Sequence, residues 1–239
     1  MATKHYLYGG AIELSYDDSK HSYIVDGKKI ISVTGVAAPK PGLVYWAAKE
    51  ASDYVRRNLI PGKALDEIEI AELCEAAKKA HTDKSSKAAS IGTLAHQACE
   101  QFAKGEEHQP PVNERAKAAY DQFRAWFEAH KVKVHASETK VYHRAYEYAG
   151  TLDLDCDVDG ERCIVDLKTS NAIYPEYDLQ LAAYAKAREY EHLDVKYSKG
   201  IILRIPKDGG KFEVREVDDL VPPFSAFIGL LRYYKWAKA

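Results

Sequence analysis

Cysteine is scarce in this chain and never paired. Cys74, Cys99, Cys156 and Cys163 stand without a CxxC spacing in 239 residues, which argues against a disulfide framework or a thiolate zinc site and predicts free, buried thiols. No apolar run reaches the length of a membrane span, and the opening MATKHYLYGG lacks the basic-then-apolar order of a secretory signal. A cytoplasmic protein without a membrane partner is therefore expected. Internal repeats and low-complexity tracts are missing too, so one continuous domain over 1–239 is expected. An excess of positive charge is also lacking. With a formal charge of −2, any nucleic-acid contact has to come from a local basic surface, since the overall field steers nothing.

What is present is a change of hydrophobic period along the chain. ELSYDDSKHSYIVDGKKIISVTGV alternates around Asp26-Gly27 and predicts a short hairpin within 1–40. Four stretches between 41 and 130 carry apolar residues at helical spacing: LVYWAAKEASDYVRRNL, ALDEIEIAELCEAAKKAH, KAASIGTLAHQACEQFAKG and NERAKAAYDQFRAWFEAHK. Pro41-Gly42, Pro61-Gly62 and Pro110-Pro111 punctuate them. From Val132 the period returns to two through VKVHASETKVYHRA, TLDLDCDV and RCIVDLK. Pro175 then opens a helix, strands follow at about 197–205 and 211–217, and FSAFIGLLRYYKWAK closes as an amphipathic helix. This predicts an α/β (α+β) fold, a mixed central sheet flanked by helices with an added N-terminal hairpin and helical region.

The stretch AGTLDLDCDVDGERCIVDLKTS gathers five aspartates. Asp155, Asp157, Asp159, Gly160 and Asp166 match part of a calcium loop, but strand-like flanks and an aspartate at the twelfth position argue against one. Asp159-Gly160 instead suits a two-residue hairpin turn, which pairs Val158 with Glu161 and makes paired residue numbers sum to 319. Asp153 then lies opposite Asp166, and Thr151 opposite Lys168. Opposed carboxylates with Cβ atoms about 5 Å apart destabilise a sheet unless solvent or a cation compensates. Solvated, the pair is accidental; around a hard divalent cation, it is a binding site with Lys168 beside it. Asp155 and Asp157, nearer the turn, are expected to be solvated.

The order of short motifs resembles the RecB-type branch of the PD-(D/E)xK nuclease superfamily. Gly150 to Asp153 matches GxxD, Asp166 to Thr169 matches DxKT, Gln180 to Tyr184 matches QxxxY, and Gly92 to His96 matches GxxxH. HSYIVDGKKIISVTGV followed by LVYWAAKEAS extends the likeness to stand-alone phage-encoded and mitochondrial-type exonucleases. The resemblance implies a restriction-endonuclease-like core and a metal-dependent DNA exonuclease in recombination, repair or processing. A structure-specific or nicking endonuclease, or a non-catalytic nucleic-acid-binding protein, is the alternative. It implies one or two Mg2+ or Mn2+ ions held by Asp153, Asp166, His96 and the Leu167 carbonyl, with Lys168 catalytic. Without the cysteine spacing of the cluster-bearing relatives, no iron–sulfur cluster is expected. DNA with a free end is the implied partner, together with a recombination or single-strand-binding protein.

Further candidates stand beside these. Gln180 and Tyr184 are implied DNA contacts, although an amphipathic helix packing on the sheet explains them equally. His96 and Glu100 are four apart on one helix, and a lone histidine there is ordinarily structural. Glu138 sits in a strand ahead of the hairpin, as a metal neighbour or a surface carboxylate, and Thr169 closes DxKT. Lys84, Lys87, Arg124, Lys131 and Lys133 are phosphate contacts or ordinary solvated charges.

Overall fold

The computed structural model describes residues 2–37, 43–206 and 210–238. The described chain divides into two compact units, one made of the first 38 residues with 94–239 and the other of 39–93.

The larger unit begins with four antiparallel strands, β1 (Thr3–Leu7), β2 (Ile12–Asp17), β3 (Ser22–Val25) and β4 (Lys28–Ser32). The expected hairpin is therefore half of a longer meander. Its turn is as the sequence predicts: Asp26 and Gly27 both have positive φ, 50° and 73°, the mirror-image turn whose twist matches paired strands. A short helix, α1 (Val33–Ala37), follows.

The smaller unit holds α2 (Leu43–Asn58) and most of α3 (Glu67–Ala103). Two of the expected helices are one. The gap between them, Thr82 to Ser86, holds neither glycine nor proline, and nothing there removes a backbone donor or relaxes the helix. The break expected at Pro41-Gly42 and the side chain of Lys87 lie outside the described residues. Within this unit Lys84 pairs with the buried Glu50 at 2.5 Å.

After α4 (Glu114–Ala129), capped by the Asn113 side-chain Oδ1, which accepts from two backbone N–H groups, the chain forms β5 (Lys133–His143), β6 (Tyr148–Val158) and β7 (Glu161–Lys168). Helix α5 (Pro175–Glu191), β8 (Lys199–Arg204), β9 (Glu213–Val217) and α6 (Val221–Trp236) complete the fold. The nine strands make one mixed sheet in the order β1-β2-β3-β4-β6-β7-β8-β9, with β5 on the other edge of β6. The mixed α/β architecture expected from the sequence is the one found. Leu181, Ala183 and Tyr184 of α5 share a core with Tyr148, Leu152, Ile164, Ile202 and Phe227.

The crowding around β6 creates the site. β5 pairs along β6 from Tyr148 to Asp157 and takes one whole edge. The other edge is divided, because β4 runs parallel to Tyr148 and Ala149 while β7 runs antiparallel from Leu154 to Val158. Gly150 to Asp153 lie in the interval between the residues of β6 that these two strands pair. Of the four cysteines, Cys99, Cys156 and Cys163 are buried as expected, but Cys74 on α3 is exposed.

Candidate metal centre and active site

The predicted hairpin register is observed. Val158 pairs with Glu161 through to Leu154 with Val165, and every pair sums to 319. Asp159 and Gly160 have φ of 52° and 89°, as the two central residues of this turn require. The ladder stops one pair before Asp153. There the Leu167 N–H donates to Asp153 Oδ2 at 2.6 Å, so a side chain bonds the backbone of β7. Thr151 meets not Lys168 but Tyr23, with 2.9 Å between hydroxyl oxygens.

Two other elements close on Asp153. His96, in the part of α3 that belongs to the larger unit, places Nε2 3.3 Å from Asp153 Oδ2 and 3.3 Å from the Leu167 carbonyl. Its Nδ1 lies 3.5 Å from Glu138 Oε1. Glu138 reaches the site from β5, whose register, Ser137 with Leu154 and Thr139 with Leu152, sets it level with Asp153; its φ is 49°, a left-handed conformation uncommon for a residue with a side chain. The ligand atoms of His96, Glu138 and Asp153 lie within 4.8 Å of one another, a group able to hold a metal ion. Glu138, one of two readings from sequence, thus joins this group, whereas Asp166 stands outside it with Oδ2 2.5 Å from Lys168 Nζ.

Charge in the site is tightly coupled. Burial works against the Asp153 carboxylate, but His96, Lys168 and the Leu167 N–H outweigh it and hold that carboxyl below its ordinary value. Asp166 goes the other way: burial, reinforced by the charge of Asp153, pushes it up to about 6 despite Lys168. Burial also opposes charge on Lys168 and on His96. Asp166 and Asp153 nevertheless hold the ammonium above its usual value, and Asp153 with Glu138 holds the imidazole well above. An imidazolium bridging Glu138 and Asp153 is the arrangement these carboxylates favour without a cation. A metal ion held by His96, Glu138 and Asp153 would take over that positive charge.

Other candidates fall around this group. Gln180 and Tyr184 are both buried. A Cβ on Gly150 would stand 2.4 Å from Tyr184 Cε1, so the glycine admits the tyrosine ring against β6. Tyr177, two turns before Tyr184 on α5, holds its ring centroid 5.1 Å from Lys168 Nζ. Glu100 pairs with Lys104, just past the end of its helix, and Thr169 lies half-buried just beyond β7. Arg124 pairs with Glu128 at 3.4 Å.

The expected solvation of Asp155 is wrong. Asp155 is 0% exposed, 2.8 Å from Arg162 and 3.4 Å from Arg188 of α5. A buried carboxylate persists only when paired in this way. Asp157 is half-buried and lies 2.9 Å from His135. The sequence reading also missed Lys140, whose Nζ lies 4.5 Å from the Tyr16 ring centroid and whose pKa burial lowers despite Glu138, Glu100 and Asp18. Its place two residues after Glu138 on the same strand was the available signal.

Comparison with known proteins agrees with the motifs. Over 93 residues the chain is 33% identical to the mouse (Mus musculus) Mitochondrial genome maintenance exonuclease 1. The chain is distantly similar to PD-(D/E)xK exonucleases. That match covers 36% of this chain and spans 28% of the mouse protein's length. No family model matches. Among solved structures, SSO0001 aligns over 80% of this chain and 83% of its own, at 11% identity and a TM-score of 0.37. The alkaline exonuclease of Laribacter hongkongensis aligns over 82% and 96%, at 11% identity and a TM-score of 0.31. No described helix is long and apolar enough to cross a membrane.

Proposed function

We propose that the chain is a metal-dependent deoxyribonuclease, an exonuclease hydrolysing phosphodiester bonds, whose two units serve one nuclease activity. The observation that carries this reading is the convergence of Asp153, Glu138 and His96 on one point, with the Lys168 ammonium held beside Asp166. Mg2+ or Mn2+ fits this donor set, and Asp153, Glu138, Asp166, His96 and the Leu167 carbonyl are the groups that would hold it. When bound, the ion supplies an acidified water and polarises a non-bridging phosphate oxygen.

The chain's own residues supply the rest. Lys168 is held charged, so it stabilises negative charge growing on the phosphate and does not remove a proton as a neutral amine. Asp153, bonded to the Leu167 N–H, keeps the end of β7 against β6 and so fixes where the Leu167 carbonyl and Lys168 stand. Gln180 and Tyr184 support the site from α5; a DNA contact by either needs the buried pair to be reached from the site. The similarity to an exonuclease supports DNA as substrate, with a free end.

End-labelled single- and double-stranded DNA, incubated with the chain with and without Mg2+ or Mn2+, tests the reading. Metal-dependent release of label, lost on Lys168→Ala, is the expected result. If wild type and Lys168→Ala behave alike and neither cuts DNA, the catalytic reading fails. Cutting of closed circular DNA would move the assignment to an endonuclease.

A further inference from the structure

β6 carries the acidic group between two strands that each bring a lysine. On β7, Lys168 is paired with Asp166. On β5, Lys140 is the register partner of Thr151. Lys140 stands two residues after Glu138, and Thr151 two residues before Asp153. Thr151 and Asp153 share a face of β6, since successive side chains of a strand alternate. The Lys140–Thr151 pair is therefore the next step along the sheet from Glu138 and Asp153. That step is about 7 Å at a strand's rise, close to the interval between neighbouring phosphates of an extended nucleic-acid strand.

Contacts fix where the ammonium of Lys140 stands. Its Nζ lies 4.5 Å from the ring centroid of Tyr16. Tyr16 is the register partner of Tyr23, their ring centroids are 4.9 Å apart, and the Tyr23 hydroxyl meets that of Thr151 at 2.9 Å. Lys140, Tyr16, Tyr23 and Thr151 thus form one connected group beside the acidic one.

Lys140 is half-buried, yet among the described residues it makes no ion pair and no hydrogen bond, and the face of Tyr16 is what its ammonium touches. The charges that act on it are those of Glu138, Glu100, Asp18 and Lys104. Two of these carboxylates are engaged elsewhere: Glu138 faces His96 at 3.5 Å, and Glu100 pairs with Lys104. Desolvating an ammonium costs free energy that a ring face offsets only in part. An anion arriving here supplies the partner that the free protein lacks.

We propose that Lys140 binds a backbone phosphate of the DNA strand, the neighbour of the phosphate at Asp153, and so positions the strand for cleavage. The identity of the anion as a DNA phosphate rests on the nuclease reading. The place of an unpaired ammonium beside the acidic group does not.

Fluorescence anisotropy of the full chain with a labelled oligo-dT, in EDTA so that nothing is cut, tests it. Lys140→Met should weaken binding about tenfold and flatten the salt dependence by roughly 0.7 in log K per log salt, as one lost phosphate contact on a single strand does. Lys140→Arg should retain both, because it keeps the charge. Thermal melts separate this role from a structural one. Lys140→Met removes a desolvated ammonium and keeps an apolar stem, so its melting temperature should equal or exceed that of wild type. Wild-type affinity and salt slope in Lys140→Met, whatever its melting temperature, would overturn the proposal. Digestion of the same oligonucleotide by wild type with Mg2+ separates the two readings. Cutting by wild type together with unchanged binding in Lys140→Met removes only the Lys140 contact, whereas weakened binding in that variant without any cutting by wild type removes only the nuclease.

Discussion

Leu167 donates its backbone N–H to the carboxylate of Asp153 at 2.6 Å, where the β6–β7 ladder has ended. One side chain therefore both closes the opening between the strands and faces His96. Removing it has two separable consequences. Asp153→Ala leaves the Leu167 N–H without that acceptor and should cost about 1–3 kcal/mol of stability; Asp153→Asn keeps an acceptor oxygen and should cost less. Both should lose metal-dependent cleavage on the order of 10²-fold or more. Thermal melts beside digestion rates check this, and an active Asp153→Asn would remove Asp153 from the chemistry.

Lys168 lies 2.5 Å from Asp166 and is held charged by it and by Asp153. Lys168→Ala should lower the cleavage rate about 10²- to 10³-fold, as loss of a transition-state charge contact does. Lys168→Arg should keep a measurable part of it. A rate for the arginine variant no better than for alanine would mean that the amine acts as a base.

Gly150→Ala puts a methyl group 2.4 Å from the Tyr184 ring and 3.2 Å from Val33. Overpacking of this kind costs about 1–3 kcal/mol. Adding Tyr184→Leu should recover part of that loss, because the ring is the nearest obstacle. Denaturant melts of both singles and the double measure the coupling, and strict additivity would show that the two residues do not meet in the folded protein.

His143 is 4% exposed and stacked on Tyr190 with centroids 4.3 Å apart. Burial lowers its pKa to about 4 from an ordinary 6.5. Between these values the unfolded chain takes up a proton that the folded one refuses, so stability from this group is complete above 6.5 and falls as pH drops toward 4. Melting temperatures from pH 7 to 4 should decline less steeply in His143→Phe than in wild type. Parallel declines would show that the imidazole titrates freely in the fold.

Most of the fold was legible because its signals are local. Alternation and the Asp159-Gly160 turn determined the β6–β7 register, since a slip of one residue would turn every buried side chain outward. The motif residues, read against a family, also determined which stretch of chain to inspect. What lies across from a given face was not legible. Asp155 and Asp157 look alike along β6, yet Arg188, 33 residues later on α5, draws only Asp155 into an ion pair inside the protein.

Glu138 shows the same limit from another side. An acidic residue in a strand is ordinarily a surface charge, and only the pairing of β5 along β6 and the approach of His96 place it beside Asp153. The sequence by itself determined the period of each element, the turn and the identities of the acidic and basic side chains. The tertiary structure decided which charges are buried and paired, and that β4 and β7 share one edge of β6 with an opening between them. Propensity and turn chemistry act over a few neighbouring residues, whereas burial and electrostatic coupling depend on elements far apart in the chain.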